Sequence, residues 1–516
     1  MTEEQFERLV RRLEGQSAVD PSGYRARLSA LMVLGFAFPL LAIAGILALA
    51  GVLALLLHGF VFVLLKVAWI ALFPLYVGVR SLFVRLPEPE GVRLSAGEAP
   101  GLRALAERIR CDLAVAPLHG IVINGAVNAA VVQRPRFGLV GSAQNYLIIG
   151  LPLLEALSAE QFEAVLAHEF GHLSRKHGAF SARVYSARMG LGNLAVALDQ
   201  RGRWLVRFLR PFYRWYVPYL DAYSFVLARR VEAEADRLAA ARTSAVALCS
   251  ALVAIALQSR RLDRGFWPAI DDRQTADGLP PSTLFEEMGR FLAVPFAHAE
   301  QSVRSALLRK TEYDDTHPAL FERLRALGVD VSDVARSLAS AGGATAAEVF
   351  LESDRAQIQK DLNAWWAARV VQAWQRRDQE RRKLHAELEK LDELAAQGTV
   401  TDAQASDRAT LATRLRRADA SGLLRAILDR DPGNAAAHFH LGVLLLEEHD
   451  DPSGLEHLEQ AMRADSDAVI PAANTAYAFC MERGETERAF AYRQRYIEAA
   501  RAAEAATASG AAAAST

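Results

Sequence analysis

SAEQFEAVLAHEFGH, residues 158–172, is the stretch on which the reading of this chain turns. Ser158 followed three residues later by Gln161 is a capping box, in which each side chain satisfies a backbone N–H at the start of a helix. It predicts a helix from Ala159 to about Lys176. Within that helix His168 and His172 are four residues apart, so their imidazoles project only about 40° apart around the axis and can reach one ion from one face. Zinc suits imidazole nitrogen and tetrahedral geometry. Glu169 then lies one residue round, placed to hold a water at the metal as general base.

A catalytic zinc takes a third protein ligand and keeps a fourth position open. Downstream, a helix predicted from about Asp221 to Ala241 carries Glu232-Ala-Glu-Ala-Asp236. Glu232 and Asp236 are four apart and share a face, so one can bind the metal while the other accepts a hydrogen bond from a ligand histidine. Glu234 points to another face. Upstream, a short helix is predicted over 98–110, followed by β-rich runs at 119–133 and 137–149. A further helix is predicted to begin at Pro318, a residue suited to a first helical turn.

These residues resemble the gluzincin signature of the membrane metallopeptidases that include HtpX and the CAAX prenyl proteases, in which H-E-x-x-H is followed by E-x-x-A-D. Asn128-Ala129 is similar to the family's Asn-Ala on the strand that edges the cleft. The run from Leu153-Leu154 through Leu166-Ala167 is similar to its approach to the zinc helix. Thr316-His317-Pro318 with Arg323 resembles its T-H-P…R segment, so the likeness covers roughly residues 90–330. It implies one Zn2+ per chain held by His168, His172 and Glu232, with Asp236 orienting a ligand histidine. It implies that Glu169 activates water and passes the proton to the leaving amine, and that His317 and Arg323 stabilise the oxyanion. Asn128 and Ala129 would pair with an extended protein or peptide substrate as an added strand.

Between Arg27 and Arg80 the only charged residue is Lys66. A bilayer core needs about 20 apolar residues in a helix, so two spans are expected, near Leu28–Leu56 and Phe60–Val79, turning at His58-Gly59. The run is too long for a cleavable signal peptide. Arg8, Arg11, Arg12, Arg25 and Arg27 precede it and Arg80, Arg85 and Arg93 follow it. Positive-inside counting puts both termini and the active site on the cytoplasmic side of the inner membrane. Lys66 would snorkel to the turn-side interface. The alternative is a buried hairpin in a large soluble protein.

HtpX-like chains often cross the membrane again between the zinc motif and the third ligand. Here 203–228 is too charged to cross, which places the expected site on a domain beside the membrane. In 203–220, Trp204, Phe208, Phe212 and Tyr216 recur every four residues among Arg203, Arg207, Arg210 and Arg214. That pattern suits either a surface at the headgroup level or a core-facing stripe. Ala245–Leu257 is apolar but short, and reads as a buried helix.

The fold class expected is mainly α with a small β-sheet: an α+β zincin domain, an N-terminal transmembrane helical hairpin and a C-terminal α-helical repeat region. The segments are a cytoplasmic stretch at 1–27, the hairpin at 28–82 and the peptidase domain at 86–336. Beyond these come a linker and long helical region at 337–420, tetratricopeptide-like repeats at 421–500 and a disordered tail at 501–516. A plain helical bundle is the alternative for 421–500. The repeats offer a surface for protein partners, and the bilayer is the other partner.

The whole chain has 516 residues and a formal net charge of −1, which offers no electrostatic reason to bind nucleic acid. Hydrophobic residues make up 52%, which excludes disorder over most of its length. Cys111, Cys249 and Cys480 are odd in number and widely spaced, and make neither a disulfide framework nor a cysteine-rich metal site. The function expected is therefore a membrane-anchored zinc endopeptidase, and the resemblance suggests membrane-protein quality control. One alternative is a catalytically silent scaffold, against which Glu169 argues, because a purely structural site needs no base. The other is a protease of prenylated C-termini, made less apt by the lack of a multi-helix chamber.

Overall fold

The computed structural model describes residues 3–56, 88–137, 140–173, 184, 203–273, 278–296, 299–307, 318–339, 343–483 and 485–513. The expected second span with Lys66, the turn at His58-Gly59, and Thr316 and His317 lie outside the described residues. Contacts divide the chain into two compact units. The first comprises Met1–Ser259, Phe285–Ala299 and Lys310–Leu362.

This unit begins with α1 (Glu3–Val19) and α2 (Pro21–Leu56), then β1 (Val92–Arg93), α3 (Pro100–Asp112), β2 (Leu118–Asn124), β3 (Ala129–Phe137) and β4 (Val140–Gly150). It continues with α4 (Leu151–Ala156), α5 (Ala159–His172), α6 (Arg203–Arg242) and α7 (Ala245–Arg261), and later α8 (Leu320–Leu327), α9 (Val331–Ala339) and α10 (Ala346–Phe350). The expected α-rich α+β class is what the chain adopts.

The four strands form one sheet in the order β1-β2-β4-β3. β2 runs parallel to β4, while β1 and β3 are antiparallel to their neighbours. β-branched residues suit such a half-buried pleated surface, and Ile121, Val122 and Ile123 of β2 are buried with Leu147 and Ile149 of β4. β3 is an edge strand, paired only with β4 among the described residues. At the end of β4 the chain turns sharply into α4. The Gly150 N–H donates to the Asn128 carbonyl at 2.8 Å, and any Cβ there would overlap the Ala126 carbonyl oxygen.

α5 is the centre of the unit. Its start is the capping box read from the sequence: Gln161 N–H donates to Ser158 Oγ at 3.3 Å and Ser158 N–H to Gln161 Oε1 at 3.0 Å. Phe162, Ala164, Val165, Leu166, Ala167 and Phe170 are all buried, so the helix is covered nearly all round. It packs against α3, β3 and above all α6. Gln161 Nε2 also donates to Ser250 Oγ at 3.1 Å, tying α5 to α7. The run Ala245–Asp271 is long and apolar enough to cross a membrane, yet more than half of its most apolar window is buried.

α6 is 40 residues long and starts well before the expected Asp221. Its first half lies antiparallel along α2: the Tyr216 hydroxyl donates to the Leu31 carbonyl at 3.0 Å, and Tyr213 to the Gly35 carbonyl at 3.4 Å. Phe212 stacks on Phe38 with ring centroids 3.8 Å apart. Further along, the Tyr24 hydroxyl donates to the Tyr223 carbonyl and Arg230 to the Ser17 carbonyl. Val10 and Leu13 of α1 join the same buried cluster. The aromatic stripe is thus core-facing at Tyr216, while Trp215 beside it is 50% exposed. Within the stretch expected as the N-terminal segment, Glu3–Val19 and the start of α2 are helical and pack on α6.

The supposed linker at 337–347 is also largely ordered into this unit. α9 extends through Ala339, and Thr345 caps α10 in a second capping box with Glu348. Ala346 N–H donates to the Leu157 carbonyl at 2.8 Å, and Ala346 and Ala347 are fully buried. α8 begins two residues after Pro318, because extended Ala319 takes the position before the first helical residue.

The second unit comprises Arg260–Leu284, Glu300–Arg309 and Asn363–Thr516. Helices at Ala435–Glu447 and Gly454–Ala464 form one pair, and Val469–Glu482 and Thr486–Ala513 the next. A Cβ on Gly442 would sit 2.9 Å from the Gly454 carbonyl oxygen, so the first pair crosses closely. Leu446, Leu455, Leu458, Ala476 and Tyr492 make a shared core. The tail expected to be disordered from 501 continues as helix to Ala513, consistent with the high helix propensity of its alanines.

Candidate metal centre

Three elements that are distant in sequence supply the site. α5 carries His168, Glu169 and His172, α6 carries Glu232 and Asp236, and α8 carries Arg323. α5 and α6 cross at Gly171, where a Cβ would lie 3.2 Å from both Cα and Cβ of Ala235. Contact that close sets the acidic face of α6 against the histidine face of α5. Gly171 and Ala235 were not singled out in the sequence, although a glycine in a helix interior costs about 1 kcal/mol and is itself a sign of close packing.

The His168 and His172 Nε2 atoms are 3.1 Å apart. Glu232 Oε2 is 3.5 Å from the first and Oε1 3.4 Å from the second. Among the described residues this is the one group of three metal-ligating side chains whose donor atoms all converge, within 4.8 Å of one another. Ligands about 2.0–2.1 Å from a tetrahedral ion are about 3.3 Å from each other, which the three observed separations bracket.

The surroundings fit a divalent cation. Asp236 Oδ1 is 2.9 Å from His168 Nδ1. A carboxylate only accepts, so Nδ1 carries the hydrogen and the lone pair of His168 is at Nε2, facing the cluster. Arg323 Nη2 also lies 3.4 Å from Nδ1, but two donors make no hydrogen bond. Glu232, Asp236 and Arg323 are buried, leaving a net formal charge of −1, to which half-buried Glu169 adds another. A doubly charged ion would balance that set.

Burial by itself would raise the Asp236 carboxyl, but hydrogen bonds from His168 and Arg323 and the Arg323 charge outweigh it and hold it down at about 2. Arg323, which burial would lower, is raised by the same pairing. Cys249, buried nearby, is pushed up to about 12 by burial and the Asp236 charge, so it stays a thiol and not a thiolate ligand.

The structure therefore brings His168, His172, Glu232, Asp236 and Arg323 together, with Glu169 between the two histidines on the same helix. His317 lies outside the described residues. Arg323 does not face an open cleft: it is 6% exposed, its Nε donates to Asp236 Oδ2 at 2.9 Å and its Nη2 to Oδ1 at 2.5 Å. Asn128 precedes edge strand β3, which begins at Ala129, and the Asn128 side chain folds back to accept from the Ala129 N–H at 2.9 Å.

Comparison with known proteins finds that residues 137–329 match the family model of Peptidase family M48. The matched segment contains all of these site residues except Asn128 and Ala129, and it ends before α9. It supports a metal-dependent peptidase, a hydrolase, whose substrates are proteins or peptides. No curated protein matches the chain.

Proposed function

We propose that this chain is a membrane-anchored zinc endopeptidase. The observation that carries the reading is the convergence of His168, His172 and Glu232 on one point, with Asp236 behind His168 and Glu169 beside it. Two imidazoles and one carboxylate are a catalytic zinc set, since structural sites are closed by a fourth protein ligand.

Bound there, zinc supplies Lewis acidity to a water and to the scissile carbonyl. The chain's own residues do the rest. His168, His172 and Glu232 hold the ion. Asp236 fixes the His168 tautomer. The Glu169 carboxylate takes a proton from the attacking water as its oxygen bonds to the carbonyl carbon, then delivers it to the amine nitrogen as the C–N bond breaks. The side of β3 left unpaired among the described residues, starting at Ala129, offers backbone groups to an extended peptide, which makes the substrate an unfolded or flexible segment.

The membrane part of the proposal rests on α2. It has no charged residue from Leu28 to Leu56, and arginines precede it. Its stretch from Tyr24 to Phe38 is engaged by α6, leaving Pro39–Leu56, about 27 Å of helix, for lipid. That approaches the ~30 Å of a bilayer core, and the arginines before Leu28 favour a zinc site on the cytoplasmic side. The paired helices beyond residue 434 read as tetratricopeptide-like repeats that recruit protein partners, and quality control of membrane proteins is the role this arrangement suits.

The test is cleavage of an unfolded casein-like substrate by wild-type protein and by Glu169→Gln, both zinc-loaded in detergent. Glutamine keeps size and helix packing but removes the base. Cleavage by wild type alone supports the reading, whereas zinc binding with cleavage by neither favours a scaffold.

A further inference from the structure

Arg323 is the group whose position departs most from what the sequence implied. The resemblance assigned it to the oxyanion, yet its guanidinium grips Asp236 through two parallel hydrogen bonds, Nε to Oδ2 at 2.9 Å and Nη2 to Oδ1 at 2.5 Å. Such a fork fixes a carboxylate in plane as well as in place. The same Oδ1 lies 2.9 Å from His168 Nδ1, whose ring presents Nε2 to the metal position. Arg323 is thus two hydrogen bonds removed from a ligand atom, and it is buried with Asp236 and His168. α8 is held against α6 by a second ion pair, Glu322 with Arg229, so the guanidinium is anchored at the backbone end too.

We propose that Arg323 is a positioning residue: it acts on the metal through Asp236 and His168, and not on the substrate's oxyanion. The inference rests on the zinc-peptidase reading and deepens it. It assigns the chain Arg323–Asp236–His168 to keeping one ligand lone pair aimed at the ion, so that α8 contributes to metal affinity without touching substrate.

The two roles make opposite predictions about zinc. The full chain in detergent is prepared as wild type, Arg323→Gln, Arg323→Lys, Asp236→Asn and the Arg323→Gln/Asp236→Asn double variant. Zinc affinity is measured by chelator competition, and kcat and KM at limiting and at saturating zinc. We expect Arg323→Gln to lose about 10- to 100-fold in zinc affinity, with KM unchanged and kcat largely restored at saturating zinc. Arg323→Lys, which keeps the charge without the fork, is expected to bind zinc more tightly than Arg323→Gln. The double variant is expected to bind zinc no more weakly than Asp236→Asn alone, because both changes cut one chain.

Wild-type zinc affinity in Arg323→Gln, with a kcat loss that saturating zinc does not repair, would overturn the proposal in favour of the oxyanion role. Losses in zinc affinity that multiply in the double variant would overturn it as well. Wild-type protein that binds no zinc would overturn the peptidase reading itself, an outcome visible before any variant is compared.

Discussion

Gly171 and Ala235 touch where α5 crosses α6: a Cβ on Gly171 would lie 3.2 Å from the backbone of Ala235. This contact is what allows Glu232, on the next turn of α6, to come within 3.5 Å of the two histidine Nε2 atoms. A branched side chain at residue 171 has to push α6 away. Gly171→Val is expected to weaken zinc binding at least tenfold and to destabilise the protein by about 1–3 kcal/mol, the usual range for overpacking. Chelator competition and denaturant unfolding check both. Gly171→Ala, which needs a shift of only a few tenths of an ångström and gains helix propensity, is expected to fall between valine and wild type.

The cap of α5 is separable from the chemistry. Ser158→Ala removes the acceptor for the Gln161 N–H and is expected to cost about 1 kcal/mol, lowering the melting temperature by a few degrees. At saturating zinc, kcat is expected to stay within twofold of wild type. Calorimetry and a steady-state assay on the same preparation check this.

Asp236 sets a pH dependence whose sign follows from its low pKa. Its folded value of about 2 lies below the ordinary 3.8, so the ionised carboxylate stabilises the fold above about pH 4. That contribution, about 2 kcal/mol, is lost as pH falls from about 4 to about 2. Asp236→Asn carries no such titration. The stability gap between wild type and Asp236→Asn in zinc-free protein is therefore expected to be largest above pH 4 and to shrink below it, as read by urea unfolding at several pH values.

Under the proposed membrane anchoring, the packing of Tyr216 on Leu31 predicts where lipid begins on α2. Val33 is 67% exposed on the stretch that α6 engages, and Val52 is 53% exposed beyond it. In sealed membranes with the cytoplasmic face outward, a bilayer-impermeant maleimide is expected to label Val33→Cys and to leave Val52→Cys unlabelled. Labelling at both positions would mean that this part of α2 does not enter the membrane.

Much of the site is legible in the sequence because its signals are local. The cap at Ser158, the i, i+4 histidines and the i, i+4 acids of α6 depend only on helix geometry, which neighbouring residues determine. The roles that needed distant partners are not legible. The guanidinium of Arg323 meets a carboxylate 87 residues away, and nothing in the local pattern distinguishes that from an arginine aimed at a cleft. The length of α6 is not legible for a related reason: Pro211 and Pro218 argue against a continuous helix, while the packing of Phe212, Tyr213 and Tyr216 on α2 favours one. The turn at Thr345 looked like linker because its neighbours are small, yet small residues are what let Ala346 and Ala347 sit fully buried.

The central claim is that His168, His172 and Glu232 hold one zinc ion. The most direct measurement is metal content per chain for purified wild type, Glu232→Ala and Glu169→Gln after dialysis against a weak chelator. The account predicts one zinc per chain in wild type and in Glu169→Gln, and little or none in Glu232→Ala. Wild-type protein without zinc, or Glu232→Ala retaining a full equivalent, would contradict it.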